Sequence, residues 1–474
     1  MTAFKYCVSW EWLLASTLLT TLLTTPFAHA ETELLLSYRS EDLLASDREA
    51  GDAPGSELWS RGSEQESRAR VTEALEEAGP WPALTTSAVL RVEAALGSLG
   101  AEAPLAVRDA SSSVAVAVRL APQARLELRA FPFDTDYLRL GQLHSLDWGG
   151  TDVKARQSVF LSQQGGAPGA LVTLMLGPAT VFAGAKWAKM TSELGGGRRF
   201  GALAGAQLAP SPAWRFDVGL GYFQRPPFSP GSRASEPFEG ASVRVVWRRG
   251  VDEPQLALEP FRRPSFGQEA TALAASPNEG DALALEGSLL VERTPLASSA
   301  DATGLVPAPA AALYGSTQRG GWRGHAVASW RSLRFVQRNE RGVLQLTSPR
   351  AIERAELRLL IGGGWTLPSV SLTPGAELDV TLPAALETVN GAAGLPQMFV
   401  AGAAGLAALP PGAARLPVLA ARVSLRFQAS RSVALSGLFD YRRDPNLTAL
   451  QASGEREFLA PDSLSWMVGL QARF

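Results

Sequence analysis

The sequence predicts an all-β fold, an antiparallel transmembrane β-barrel of 16–18 strands behind a short, mixed N-terminal extension. Three observations predict it. Apolar residues recur with a period of two over most of the chain beyond residue 84. The alternating segments run about 9–13 residues, enough to cross a bilayer at a tilt, whereas strands of soluble proteins cluster near about 5–6. The chain also ends on such a segment, with Phe474 as its last residue.

Residues 1–30 read as a secretory signal peptide. Lys5 supplies a positive start, 13–23 (LLASTLLTTLL) an apolar core, and Ala28-His29-Ala30 a small-residue cleavage site. That core is too short to span a membrane as a helix, and Pro26 breaks it off before the cleavage site. Removing the peptide takes away Cys7 and His29 and leaves His144 and His325 as the histidines. A chain without cysteine is neither a disulfide scaffold nor a thiolate metal site. Residues 31–83 differ from the rest. They hold a first strand over 34–38, an acidic stretch, and a short helix over 65–78 stopped by Gly79-Pro80. They read as a periplasmic extension or an interior plug; a disordered leader is equally compatible.

The barrel occupies 84–474. Strands are expected near 84–96, 111–121, 123–133, 137–148, 153–163, 169–177, 179–191, 199–208, 213–224, 239–248, 255–262, 281–293, 320–335, 354–366, 372–382, 414–428, 431–442 and 463–474. The alternation is clearest at 213–223. There Trp214, Phe216, Val218, Leu220 and Tyr222 oppose Arg215, Asp217, Gly219 and Gly221. Working back from Phe474, long and short links alternate, as one long-loop end and one short-turn end require. Two links do not fit: 294–319 is long at the short-turn end, and 134–136 is short at the other. A missed hairpin or plug near 294–319 would account for the first. Trp214, Trp247, Trp322 and Trp365, with Trp148, fall at one end of the strands, and Trp187, Trp330 and Trp466 at the other. Amphipathic rings favour both membrane–water boundaries.

Composition removes several classes. Lys+Arg 44 against Asp+Glu 46 gives a net charge of −2, so no nucleic-acid partner is expected. No apolar run beyond the N-terminus is long enough for a membrane helix. Two histidines cannot build a three-histidine zinc site. The nearest nucleophile–base pair, His144-Ser145, would point to opposite faces of a strand. Asp134, Asp136, Asp147 and Asp152 are the densest acids and read as solvated loop residues rather than a calcium site. Gly195-Gly196-Gly197 and Gly362-Gly363-Gly364 lack the Lys-Ser/Thr of a phosphate loop and read as turn and close backbone approach. No enzyme activity and no cofactor is expected.

In the alternation, and in the final strand where Leu464, Trp466, Val468, Leu470, Ala472 and Phe474 share a face, the chain resembles bacterial outer-membrane β-barrel proteins of the porin-like kind. The resemblance implies export through the inner membrane, residence in the outer membrane against its lipid, and assembly signalled by Phe474 to the barrel assembly machinery. It is compatible with a homo-oligomer. If the apolar face meets lipid, the polar face lines the lumen. Candidate pore-lining residues are Arg125, Arg129, Arg215, Asp217, Arg244, Glu286, Glu292, Arg354, Glu356, Arg358, Arg422 and Arg426. Passive diffusion of small polar solutes is the expected function. The alternatives are a closed structural or surface-binding barrel using loops 263–280 and 383–413, and, behind it, an outer-membrane hydrolase.

Overall fold

A computed structural model describes residues 30–41, 62–78, 84–96, 105–109, 112–134, 139–144, 146–147, 167–190, 197–225, 236–251, 279–295, 303–336, 352–388, 397–402, 405–430, 432–450 and 456–473. Nineteen strand segments join in one sheet. Two of them, Leu105–Asp109 and Ser113–Ala121, pair end to end with the same neighbour and occupy one wall position. In chain order the wall positions are β1 (Ala30–Glu41), β2 (Gly62–Ala78), β3 (Leu84–Leu96), β4 (the two-piece strand), β5 (Ala124–Asp134), β6 (Ala167–Leu176), β7 (Ala179–Met190), β8 (Gly197–Ser211) and β9 (Trp214–Arg225). Next come β10 (Glu236–Arg249), β11 (Gly280–Pro295), β12 (Thr303–Arg319), β13 (Trp322–Arg331), β14 (Glu356–Trp365), β15 (Leu372–Leu382), β16 (Val418–Gln428), β17 (Val433–Arg443) and β18 (Asp462–Arg473). Each pairs antiparallel with the next. The last, β18, pairs back onto β1, Leu36 opposite Leu470, so the wall returns on itself.

Exposure separates the two faces of this wall in the sense a membrane demands. Leu220 (64% exposed), Phe439 (58%), Ile361 (56%) and Val423 (56%) stand outward. Glu286 (0%), Lys186 (0%), Glu377 (4%) and Arg215 (7%) are buried inward. A soluble sandwich would invert this arrangement. A greasy outer face of this kind suits lipid, and the antiparallel ladders satisfy the backbone. At the short-turn end Trp214 stands opposite Trp247, and Trp322 opposite Trp365. Trp187, Trp330 and Trp466 sit toward the far ends of β7, β13 and β18. Trp148 lies outside the described residues.

Several expected elements differ. Residues 31–83, expected as an extension or plug, contain β1 and β2, which pair into the wall. The helix expected over 65–78 is the strand β2. A lone helix of that length is marginal in water, whereas a strand here gains a ladder on each side. Within 137–148 the described residues form no wall strand: among them Arg139–Leu140 pairs with Leu146–Asp147 in a small hairpin of its own. The β5–β6 link is therefore long, which removes the anomaly at 134–136. A strand that alternation alone does not reveal, β12, fills 303–319 and removes the other. Residues 320–335 hold β13 and then one helical turn, Leu333–Val336. The β10–β11 link leaves Arg249 opposite Asp281, so both of its described ends lie at the short-turn end, where 263–280 was expected at the long-loop end. The segments 153–163 and 255–262, residues 1–29 and Phe474 lie outside the described residues.

Candidate functional site

The inner face of β9 to β12 carries the most tightly knit polar cluster, and a segment of the β5–β6 link folds against it. Gly141, at φ +79°, turns the chain out of the strand that 137–148 suggested. The next three backbone N–H groups then point at one carboxylate. Glu286 accepts from Gln142 N (2.9 Å) and Leu143 N (3.1 Å) on one side and from His144 N (2.6 Å) on the other. Tyr314 donates its hydroxyl to the same group at 3.0 Å. A fully buried carboxylate is costly unless its oxygens are satisfied, and four donors satisfy this one.

The loop is held by other contacts as well. Ser288 Oγ donates to His144 O at 2.8 Å, and His144 Nε2 lies 3.1 Å from Ala311 O. Leu140 lies over Gly219 of β9, where a Cβ would fall 2.4 Å from its methyl carbon. Arg244 binds the Asp217 carboxylate through Nε (2.8 Å) and reaches Gln142 Oε1 through Nη1 (2.8 Å). Arg215 approaches the other Asp217 oxygen at 3.2 Å. Wall and loop thus share one charge network crossing from β9 to β12.

Further round the wall the inner charges also meet in pairs. Arg129 donates to Glu127, with Arg125 beside it at 3.4 Å. Arg331 binds Glu356 at 2.5 Å, and Arg358 forks onto Asp379 at 2.6 and 3.0 Å. Arg422 lies 3.5 Å from Glu377 and 3.4 Å from Asp440. His325 Nε2 sits 2.8 Å from Glu377 Oε1. Arg426 reaches Gln428 at 3.3 Å.

Of the residues singled out by sequence, Arg125, Arg129, Arg215, Asp217, Arg244, Glu286, Glu356, Arg358, Arg422 and Arg426 stand on the inner face. Glu292 holds a register position on β11 opposite Phe238. Arg354 is not in the wall. It ends a short strand, Ile352–Arg354, that pairs with Ala385–Thr388 in a separate four-stranded sheet, and it binds Glu387 at 2.9 Å. The ladder breaks at Ala355 before β14 begins, so the alternation read through 354–358 does not carry one face across the break.

Sequence reasoning missed Gln142, Ser288 and Tyr314 and the apolar patch above them, and weighed His144 only as a partner of Ser145. Phe131, Leu203, Phe223 and Leu290 line the inner wall there, and Phe335 from the turn after β13 inserts among them. Its ring meets His144 edge-on at 5.7 Å. Ser145 lies outside the described residues. No group of three metal-ligating side chains occurs among the described residues.

An inward charged lining, an outward apolar belt and a wall closed strand to strand define a porin-like outer-membrane β-barrel fold. No family model matches the chain, and no curated protein matches it in sequence. Solved structures do. OccAB2 of Acinetobacter baumannii is similar at a TM-score of 0.50 and 7% identity, over 94% of this chain and 97% of that one. OccAB1 of the same organism is similar at 0.50 and 10%, over 94% and 96%. The outer membrane protein OpdK of Pseudomonas aeruginosa aligns at 0.44 and 11%, over 94% and 99%. At these identities the likeness is one of fold.

Proposed function

We propose that this protein is a passive channel for small polar solutes in the bacterial outer membrane, reached by export through the inner membrane. The observation that carries the reading is Glu286 gathering three successive N–H groups of a loop folded into the lumen. A barrel of about 16–18 strands leaves a water-filled interior unless something narrows it. Loop 139–144 supplies the narrowing, and its network with Asp217, Arg215 and Arg244 places both signs of charge beside the passage. Opposed charges set up a transverse field that orients polar solutes. The cationic side chains named on the inner face, eight arginines and Lys186, outnumber the acids Glu127, Asp217, Glu286, Glu356, Glu377, Asp379 and Asp440 by only two, so the channel favours anions weakly. The final strand and Phe474 serve assembly.

The test is reconstitution of folded protein in a planar bilayer under a KCl gradient. Stepwise conductance with a reversal potential on the anion side supports the reading, and silence from a folded sample rejects it. A closed structural barrel is the second reading, favoured by the apolar patch around Phe131 and Phe335, which narrows the interior without offering a polar path. Silence in the bilayer would favour it.

A further inference from the structure

The lipid-facing wall carries an open groove of about 540 Å³. Its floor is Ala311 of β12 and Ala328 of β13. Register explains the hollow. Ala328 lies between Leu313 and Leu359, and Ala311 between Gly287 and Trp330, so small residues face outward beside the large Leu313, Leu359 and Trp330. The far end of the groove, away from the short turns, is bounded by Leu382 and Pro417. Trp330 lines the groove near that end, at the depth where indoles mark the membrane–water boundary.

Arg415 lies just beyond this end, two residues before the lining residue Pro417. Its Nη1 donates to Ala355 O (2.8 Å), two residues before the groove residue Leu357, and to Pro383 O (2.6 Å), immediately after Leu382. Its Nε and Nη2 hydrogens have no partner among the described residues, and no carboxylate there pairs with it. Partial burial and then the like charge of Arg354 lower its pKa, so the site disfavours the cation that occupies it. A guanidinium stays protonated regardless. An anion supplied from outside would relieve both penalties.

We propose that the groove and Arg415 form a binding site for an anionic, acylated lipid, the chain lying over Ala311 and Ala328 and the headgroup on the free edge of the Arg415 guanidinium. Any bilayer lipid fills an apolar hollow. Selectivity arises because a cation stands just beyond the end of the hollow, on the side where Trp330 marks headgroup depth. The inference rests on the wall facing lipid and is independent of conduction through the lumen.

The test is native mass spectrometry of the folded, detergent-solubilised protein with dioleoyl phosphatidylglycerol, dioleoyl phosphatidylcholine or glycerol 1-phosphate. The expected result is retention of the glycerol lipid over the choline lipid. Arg415→Gln should reduce that preference about fivefold, the attraction of about one cation for an anionic headgroup. Arg415→Lys should preserve it. Ala328→Leu, which fills the floor, should lower retention of both lipids. Each variant is first shown folded by its heat-dependent gel mobility. Equal retention of the two lipids overturns the proposal, as does an unchanged preference in a folded Arg415→Gln. Displacement by glycerol 1-phosphate at equal concentration would mark a site for free phosphate, and a two-chain mass without lipid would assign the groove to a second copy. Either outcome also rejects it.

Discussion

His325 of β13 and Glu377 of β15 meet at 2.8 Å although a whole strand lies between them. The residue between them in register is Gly362 of β14. A Cβ there would lie 2.4 Å from the His325 ring and 2.6 Å from Glu377 Cγ. The missing side chain is the gap through which the pair closes. Gly362→Val should therefore separate two buried partners, at a cost of roughly 3 kcal/mol. Gly362→Ala should do so in lesser degree. Unfolding temperature in detergent, followed by gel mobility, checks this. Equal temperatures for wild type and the valine variant would sink it.

Glu286→Ala should strand the three N–H groups of residues 142–144 and the Tyr314 hydroxyl. Each buried donor left without an acceptor costs roughly 1–3 kcal/mol, more than the loop's remaining contacts supply locally. The loop should leave the wall, and single-channel conductance should rise. Glu286→Gln keeps one carbonyl acceptor and should fall between. Tyr314→Phe removes one bond of about 1 kcal/mol and should leave conductance near wild type.

The wall was legible where alternation was uninterrupted. Residues 84–96, 213–224, 372–382 and 463–474 read within a few positions of β3, β9, β15 and β18. It was illegible where chemistry masks the period. Strand β12 carries Pro307 and Pro309 in an alanine-rich run, both poor strand signals, so it read as a linker. Segment 65–78 has good helix formers and no strongly β-forming run, so tertiary pairing decides its state. The count of eighteen agreed because the strands missed, β2 and β12 with most of β1, balanced segments wrongly or untestably included. The inner position of Glu286 followed from phase alone. Its partners did not, because they lie some 140 residues earlier in a loop whose alternation imitates a strand. Only Gly141 in that loop, and the bare inward position Gly219 under Leu140, hinted that something packs inside.

Leu220 is the most exposed large apolar residue of β9. On a soluble protein an exposed leucine changes to arginine within about 0.5 kcal/mol. On a lipid face near mid-bilayer the same change costs roughly 2–4 kcal/mol. Leu220→Arg should accordingly lower refolding yield into vesicles while Asp217→Asn, on the inner face of the same strand, should not block insertion. Refolding titrations in urea with dilauroyl phosphatidylcholine vesicles measure both. A neutral Leu220→Arg would contradict the assignment of faces.

Phe335 couples the turn after β13 to loop 139–144. It is 1% exposed, packs with Phe131, Leu140, Leu203 and Phe223, and presents its edge to His144. Truncation of a buried phenylalanine costs about 3–5 kcal/mol where the surroundings cannot collapse. Here Leu140 and the His144 ring lose a wall of their pocket, so Phe335→Ala should loosen the same loop that Glu286 pins. Two anchors on one element do not add. Once Glu286→Ala has freed the loop, Phe335→Ala has less left to release, and the double variant should gain less conductance than the two singles combined. A double-mutant cycle on single-channel conductance reads this directly. Full additivity would mean that Phe335 supports the wall alone and that the two anchors act on separate elements.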